Sequence, residues 1–191
     1  MCKQGAMTGF YFTLLAVLLV GFGARDQMTV AGLSAAQGPR PGLLITGIAV
    51  CVATAVFAAW GSTYMAPMLI PKARLIFAAM ALAFAGVEAL LIAPRRRPAE
   101  PTSSLGAFAI VLFAHQLTDA ARFLVLAIAI ASNSPIGAGM AGAVGSGVLL
   151  AAAWIAPEAL IHRRARQVRR LIGAVLLLVA GFVALRAFGR I

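Results

Sequence analysis

Ala58-Ala59-Trp60 followed by Ala66-Pro67-Met68-Leu69-Ile70 recurs as Ala152-Ala153-Trp154 followed by Ala156-Pro157-Glu158-Ala159-Leu160-Ile161, about 95 residues further along the chain. The likeness continues beyond these stretches. Arg74-Leu75-Ile76 leads into an apolar run containing Ala85-Gly86-Val87-Glu88-Ala89-Leu90, and Arg170-Leu171-Ile172 leads into Ala180-Gly181-Phe182-Val183-Ala184-Leu185. The chain therefore reads as a tandem duplication of an apolar unit. If each unit carries an odd number of membrane spans, the second enters the bilayer upside down relative to the first, which is the inverted-repeat plan of many secondary transporters.

Composition puts both units in a membrane. Of 191 residues, 62% are hydrophobic and 11% charged, and the mean hydropathy is +0.98. Such a chain has too few polar side chains to cover a water-exposed globule. A spanning helix needs roughly 20 apolar residues, and the stretches 7–24, 42–60, 75–93, 105–131, 136–156 and 171–187 qualify. The expected fold is an all-α integral membrane protein of about six transmembrane helices, arranged as two inverted three-helix repeats. The repeats are 1–94 and 105–191, joined by a basic, proline-marked linker, 95–104, that opens Arg95-Arg96-Arg97-Pro98. No small-x-small cleavage site follows Leu14–Val20, so the first stretch reads as a span and not as a cleaved leader.

A formal charge of +11 would suggest nucleic acid in a soluble protein, but here it sorts by loop. Arg40, Arg95, Arg96, Arg97, Arg163, Arg164, Arg166, Arg169 and Arg170 fall on the side of the odd loops; Lys3, Lys72, Arg74, Arg186 and Arg190 fall on the other. The bias places the odd loops in the cytoplasm and both termini outside, as in a multi-pass protein of a bacterial inner membrane with the lipid bilayer as its surroundings and no nucleic-acid partner. The strip His162 to Arg170 alternatively lies along anionic headgroups. Cys2 and Cys51 form no disulfide framework, and Cys51 reads as a small core residue. No P-loop, Ser-His-Asp order, haem motif or metal-spaced Cys/His cluster is present, so the chain does not read as an enzyme and calls for no cofactor.

An ionisable side chain inside a bilayer costs at least about 2.5 kcal/mol, so each needs a partner or a function. The first span is apolar through Val20, then reads Gly21-Phe22-Gly23-Ala24-Arg25-Asp26-Gln27-Met28-Thr29 before turning apolar again. The fourth is apolar through Ala114, then reads His115-Gln116-Leu117-Thr118-Asp119-Ala120-Ala121-Arg122-Phe123 and resumes. Each repeat is interrupted at the same point of its first helix, where discontinuous helices build substrate sites.

These residues resemble the Gdt-type cation/proton exchangers, a family of Golgi manganese and calcium transporters and bacterial relatives allied to the lysine-exporter superfamily. That family carries, once per three-helix repeat, a motif Glu-x-Gly-Asp-(Lys/Arg)-(Thr/Ser)-Gln. In the first repeat Gly23, Arg25 and Gln27 match, while Gly21 stands for the Glu, Ala24 for the Asp and Asp26 for the Thr/Ser. In the second, Asp119 matches, while Gln116 stands for the Glu, Thr118 for the Gly, Ala120 for the basic residue and Arg122 for the Gln. The resemblance implies exchange of a divalent cation, Mn²⁺ or Ca²⁺, for protons at a midplane site between the first and fourth helices. It also implies four motif carboxylates at that site; this chain keeps one, Asp119, and adds Asp26 as a second metal-binding carboxylate, with Gln27, Gln116, Thr118 and Thr29 offering further oxygens.

Two alternatives stay open. Arg25 and Arg122 serve as charge partners of the two acids, so the pocket equally reads as buried Asp–Arg pairs in a structural or regulatory protein that keeps the fold without transporting. A third reading has one of these arginines hold an anionic substrate. His115 reads as a proton-relay or metal-ligating group or as a hydrogen-bonded histidine, Glu88 as snorkelling or paired near Arg95, and Trp60 and Trp154 as interfacial anchors. A homo-oligomer is compatible with all of these.

Overall fold

The computed structural model describes residues 2–92, 103–161 and 163–189; the linker arginines Arg95–Arg97 lie outside the described residues. Among the described residues the chain is all-helical. The first repeat comprises α1 (Cys2–Gly21), α2 (Arg25–Gln37), α3 (Pro41–Met65), a 3₁₀ turn (Ala66–Met68) and α4 (Pro71–Leu91). The second comprises α5 (Leu105–Leu117), α6 (Ala120–Ser132), α7 (Pro135–Ile155), the short α8 (Pro157–Ile161) and α9 (Arg163–Ala187). The order of elements is the same in both: a broken pair, a long proline-started helix, a short helical turn and a second long helix.

Local chemistry sets these boundaries. Pro41, Pro71, Pro135 and Pro157 stand first in their helices, where a missing N–H costs nothing and a fixed φ helps. α2 ends at Gly38, whose positive φ of +81° suits a residue without a Cβ, and α6 ends at Asn133 with φ +52°, the left-handed stop that Asn can provide. Between α1 and α2 the chain turns through Gly23 at φ +67°, a conformation glycine reaches without a Cβ clash.

Among the described residues, four stretches are long and apolar enough to cross a membrane: Pro41–Met68, Pro71–Leu91, Pro135–Ile155 and Ala165–Ala187. The pairs α1–α2 and α5–α6 pass the same test jointly, bent by 56° and 52°, which brings the count to six if each bent pair is one span. Only 22% of the most apolar window of α9 is buried, and Phe57, Met68, Leu91, Ile110, Leu171 and Leu178 stand exposed. Apolar surface on this scale needs a non-aqueous surrounding, so the chain is a multi-pass membrane protein.

Packing is intimate where small residues meet. α4 and α9 cross at Gly86 and Gly173: a Cβ on Gly86 would lie 2.9 Å from the Gly173 carbonyl oxygen, and one on Gly173 2.8 Å from that of Gly86. Along α7, a Cβ on Gly139 would meet Ala59 of α3 at 2.8 Å, and one on Gly142 would meet Val125 of α6 at 2.7 Å. Small residues let helices approach without a hydrophobic drive from water, and α7 packs closely on α3 and α6 through Gly139 and Gly142.

The ends of the helices group into two sets. Trp154 Nε1 donates to the Arg40 carbonyl (3.1 Å) and Ser34 Oγ to the Trp154 carbonyl (2.8 Å), joining the α2–α3 turn to the end of α7. The Lys72 ammonium lies 5.5 Å from the Phe188 ring centroid, joining the start of α4 to the end of α9. Asn133 and Pro135 share one cavity with Met7 and Tyr11 and another with Thr63 and Arg74, so the start of α1, the α3–α4 turn and the α6–α7 turn lie together.

Candidate functional site at the two helix breaks

α2 and α6 start at matching motif positions: Ala24 is the N-cap of one and Asp119 of the other. Gln27 and Arg122 accordingly occupy the same third helical position, and both point their polar ends into the bundle. Gln27 Oε1 accepts the Gly23 N–H (2.6 Å), closing the first break, and its Nε2 donates to the Leu149 carbonyl of α7 (2.9 Å).

Asp26 is 8% exposed. Its Oδ1 accepts the Gln27 N–H at 2.7 Å, and its Oδ2 accepts Gln116 Nε2 at 3.2 Å. The same Gln116 nitrogen lies 3.1 Å from Cys51 Sγ, while Gln116 Oε1 takes Arg122 Nη2 at 3.0 Å and the Thr54 hydroxyl at 2.8 Å. Arg122 completes its fork with Nε to Thr54 Oγ1 (2.8 Å) and Nη1 to Ser146 Oγ (2.8 Å). Side chains from α2, α3, α5, α6 and α7 thus form one connected network. A guanidinium 5% exposed is stabilised there because each of its three nitrogens finds an oxygen; a half-satisfied network would be worse than an apolar core.

Asp119 is different. It too is 8% exposed, and its carbonyl accepts the Arg122 N–H at 3.0 Å. Among the described residues its carboxylate makes no hydrogen bond, does not cap α6, and forms no ion pair within 4.0 Å. The charged groups near enough to act on it electrostatically are Asp26, Glu88, Arg122 and Arg169.

A second cluster adjoins the first break. Arg169 of α9 is 5% exposed; its Nη1 donates to the Gly23 carbonyl and its Nη2 lies 3.7 Å from Glu88 Oε1. Arg25 Nε approaches the same Glu88 oxygen at 3.9 Å, from a side chain 46% exposed. Both separations exceed hydrogen-bond range, so the pairing is loose. Glu88 also lines, with Thr118 of the second break, a cavity of ≈ 470 Å³ walled by Phe77, Met80, Phe84 and Phe123.

Of the residues the sequence suggests, Asp26, Gln27, Gln116 and Arg122 come together through these hydrogen bonds, and Asp119 joins them only through its backbone. Thr118 does not join them: it is exposed, and its hydroxyl donates back to the Ala114 (3.0 Å) and His115 (3.2 Å) carbonyls. Arg25 faces Glu88 and not Asp26, and Arg122 bonds neutral groups, so the expected Asp–Arg pairs do not occur among the described residues. Among the described residues, His115 Nδ1 is buried without a hydrogen-bond partner. Among the described residues no three of His, Cys, Asp and Glu gather as a metal site.

Sequence reading missed Arg169, counted there among loop charges, and gave Cys51, Thr54 and Ser146 no part in the site. For Arg169 a signal exists. It falls on the buried stripe Ala165, Arg169, Gly173, Leu176, Ala180 of α9, whose spacing is that of a single helix face. No family model, curated protein or solved structure matches the chain.

Proposed function

We propose that the chain is a membrane secondary transporter that moves a cation in exchange for protons, with Asp119 and Asp26 as the carboxylates of the site. The observation that carries this reading is the convergence of two helix breaks on one buried polar cluster holding an acid without a partner. Buried acids in membranes mark ion and proton paths, and irregular backbone at such depth is tolerated where it lines a site. The inverted arrangement is part of the proposal. It is supported by the grouping of the helix ends, with the α2–α3 turn against the end of α7 and the start of α1 against the α6–α7 turn. With three crossings per repeat, such a grouping puts both termini on one side. The exposed Arg166 and Arg170 at the start of α9 favour the opposite side as cytoplasmic, in a bacterial inner membrane.

The cargo class follows from the resemblance: a divalent cation, Mn²⁺ or Ca²⁺. Such ions take several oxygens, and here Asp26, Asp119 and nearby amide and carbonyl oxygens would supply them. The test is uptake of Mn²⁺ and Ca²⁺ into proteoliposomes under an imposed pH gradient. Flux by the parent chain and its loss in Asp119→Asn, with folding intact, is the expected result; equal flux in both sinks the reading.

One observation favours a second reading, a structural or regulatory membrane protein without transport. The oxygens of Gln116, Thr54 and Ser146 are already engaged by Arg122, which leaves a divalent ion few free ligands. Absence of flux for every cation tested, in a monodisperse preparation, would select it.

A further inference from the structure

One wall of the ≈ 470 Å³ cavity is a continuous face of α4: Phe77, Met80, Phe84, Val87, Glu88 and Leu91 recur at helical spacing along it. The opposite wall comes from the second break and α6, through Ala120 and Phe123. From Phe77 to Ile92 the groove follows α4 for about 22 Å at 1.5 Å per residue, enough for a lipid chain to run from the bilayer midplane to the headgroups, about 15 Å. Phe84 and Leu91 are 65% and 77% exposed, so the groove opens sideways to the surroundings of the bundle, which for a membrane protein are lipid chains. Its described lining is apolar except at Glu88 and Thr118. Glu88 lies one turn from the end of α4, between Arg25 Nε at 3.9 Å and Arg169 Nη2 at 3.7 Å. One acid between two guanidinium groups leaves a positive balance at that end. Arg166 and Arg170, exposed on α9 within a turn of Arg169, add to it, against Glu158 of the preceding α8. Arg169 is turned inward onto the Gly23 carbonyl. Arg25 is not: its side chain is 46% exposed and, among the described residues, its guanidinium meets only Glu88, beyond hydrogen-bond range.

We propose that this groove binds an anionic phospholipid, with one acyl chain lying along α4 against the second break and the headgroup phosphate on Arg25 at the first. Charge selects the headgroup. An acid already offset by two guanidinium groups makes a cationic amphiphile a poor guest, whereas a phosphate fits the unfilled fork of Arg25 with two parallel hydrogen bonds. Basic pockets between membrane helices select anionic headgroups in this way. Arg25 is the first residue of α2 and Ala120 the first of α6, so a single lipid touches the chain just beyond both helix breaks and holds them in register. The inference goes beyond the transport reading and stands without it, since neither Asp26 nor Asp119 takes part.

The test uses the full chain, delipidated in a neutral detergent, with binding read by native mass spectrometry and by the rise in melting temperature. The probes are dioleoyl phosphatidylglycerol, dioleoyl phosphatidylcholine, which has the same chains and no net charge, and glycerol phosphate, which has no chains. Phosphatidylglycerol should bind at least fivefold more tightly than phosphatidylcholine, and glycerol phosphate should not bind at the same concentrations. Arg25→Gln should remove about fivefold of that preference, the effect of one arginine near an anionic headgroup, and leave phosphatidylcholine unchanged; Arg25→Lys should keep most of it. Val87→Trp, filling the groove from a wall residue 42% exposed, should weaken both lipids. Arg186→Gln, exposed at the far end of α9, should change nothing. Equal binding of the two lipids, equal losses in Arg25→Gln and Arg186→Gln, or unchanged binding in Val87→Trp overturns the proposal. So does glycerol phosphate binding as tightly as the lipid, which would make this a free-phosphate site, or tetraphenylphosphonium binding that Glu88→Gln abolishes, which would make it a cation site. Monodisperse elution and an unchanged lipid-free melt show that each variant is folded. No flux is read, so failure of this site and failure of transport are separate results.

Discussion

Arg122, in the first turn of α6, donates its Nε proton to the hydroxyl of Thr54 in the middle of α3, 2.8 Å away. The bond joins the two halves of the chain at a fully enclosed point, because Thr54 has no exposed surface and water cannot replace it. Thr54→Val keeps the shape and removes the acceptor. A hydrogen bond to a charged group is worth about 1.5–3 kcal/mol, and stability should fall by an amount of that order, measured by reversible unfolding in mixed detergent. Thr54→Ser keeps the hydroxyl and loses one buried methyl, so it should cost about 1 kcal/mol, less than Thr54→Val.

Gly86 and Gly173 give a packing prediction independent of charge. Gly86→Ala would place its Cβ 2.9 Å from a backbone oxygen, which cannot move aside as a flexible side chain can, and overpacking of this kind costs about 1–3 kcal/mol. Gly147→Ala, on a helix face with nothing within 4 Å of the added atom, should be neutral or stabilising by up to about 1 kcal/mol through helix propensity. A thermal melt that ranks the two the other way would contradict the α4–α9 crossing.

The missing acid of the first motif suggests a gain of function. Ala24 occupies in α2 the N-cap position that Asp119 occupies in α6. Ala24→Asp should add a third carboxylate to the cluster and produce a rise in melting temperature with Mn²⁺ that exceeds the parent's; saturation at 100 times the dissociation constant corresponds to about 2.7 kcal/mol. Gly21→Glu, the other change the motif suggests, requires the Leu149 side chain to turn aside, since a Cβ there would lie 2.5 Å from Leu149 Cδ1. Equal metal shifts in parent and Ala24→Asp would argue that no cation sits between the breaks.

Topology is testable without any activity. Thr63 and Arg166 are exposed and belong to opposite groups of helix ends. Single cysteines at these positions, with Cys2 and Cys51 replaced, should react with an impermeant reagent from opposite sides of a sealed membrane. Labelling of both from one side would remove the inverted arrangement.

The broken spans were legible because Gly21–Thr29 and His115–Phe123 interrupt apolar runs with residues a lipid-facing helix cannot carry. The same logic brought out Asp26, Gln27, Gln116, Asp119 and Arg122, whose polarity has no other outlet. Thr118 misled because its hydroxyl can bond its own helix carbonyls, a local option that composition does not reveal. Arg169 was hidden in a run of arginines, where only the helical phase of Ala165, Gly173, Leu176 and Ala180 separates the buried member from exposed neighbours. Partner choice was beyond reach: that Arg25 meets Glu88, more than sixty residues away, depends on how α2 and α4 pack.

The polarity of α2 has a consequence for the order in which the chain is assembled. Its sequence, RDQMTVAGLSAAQ, is far less apolar than the long helices, and acidic and basic residues in mid-span oppose insertion. Asp26, Gln27 and Ser34 find their cover on α5 and α7: Gln116, the Leu149 carbonyl and the Trp154 carbonyl lie 90 to 122 residues downstream. If the bent pair α1–α2 is one span, its polar half gains this cover only once α5 and α7 have been made. An amino-terminal half ending before the linker should therefore be retained poorly in the bilayer, and co-expression of the missing half should rescue it.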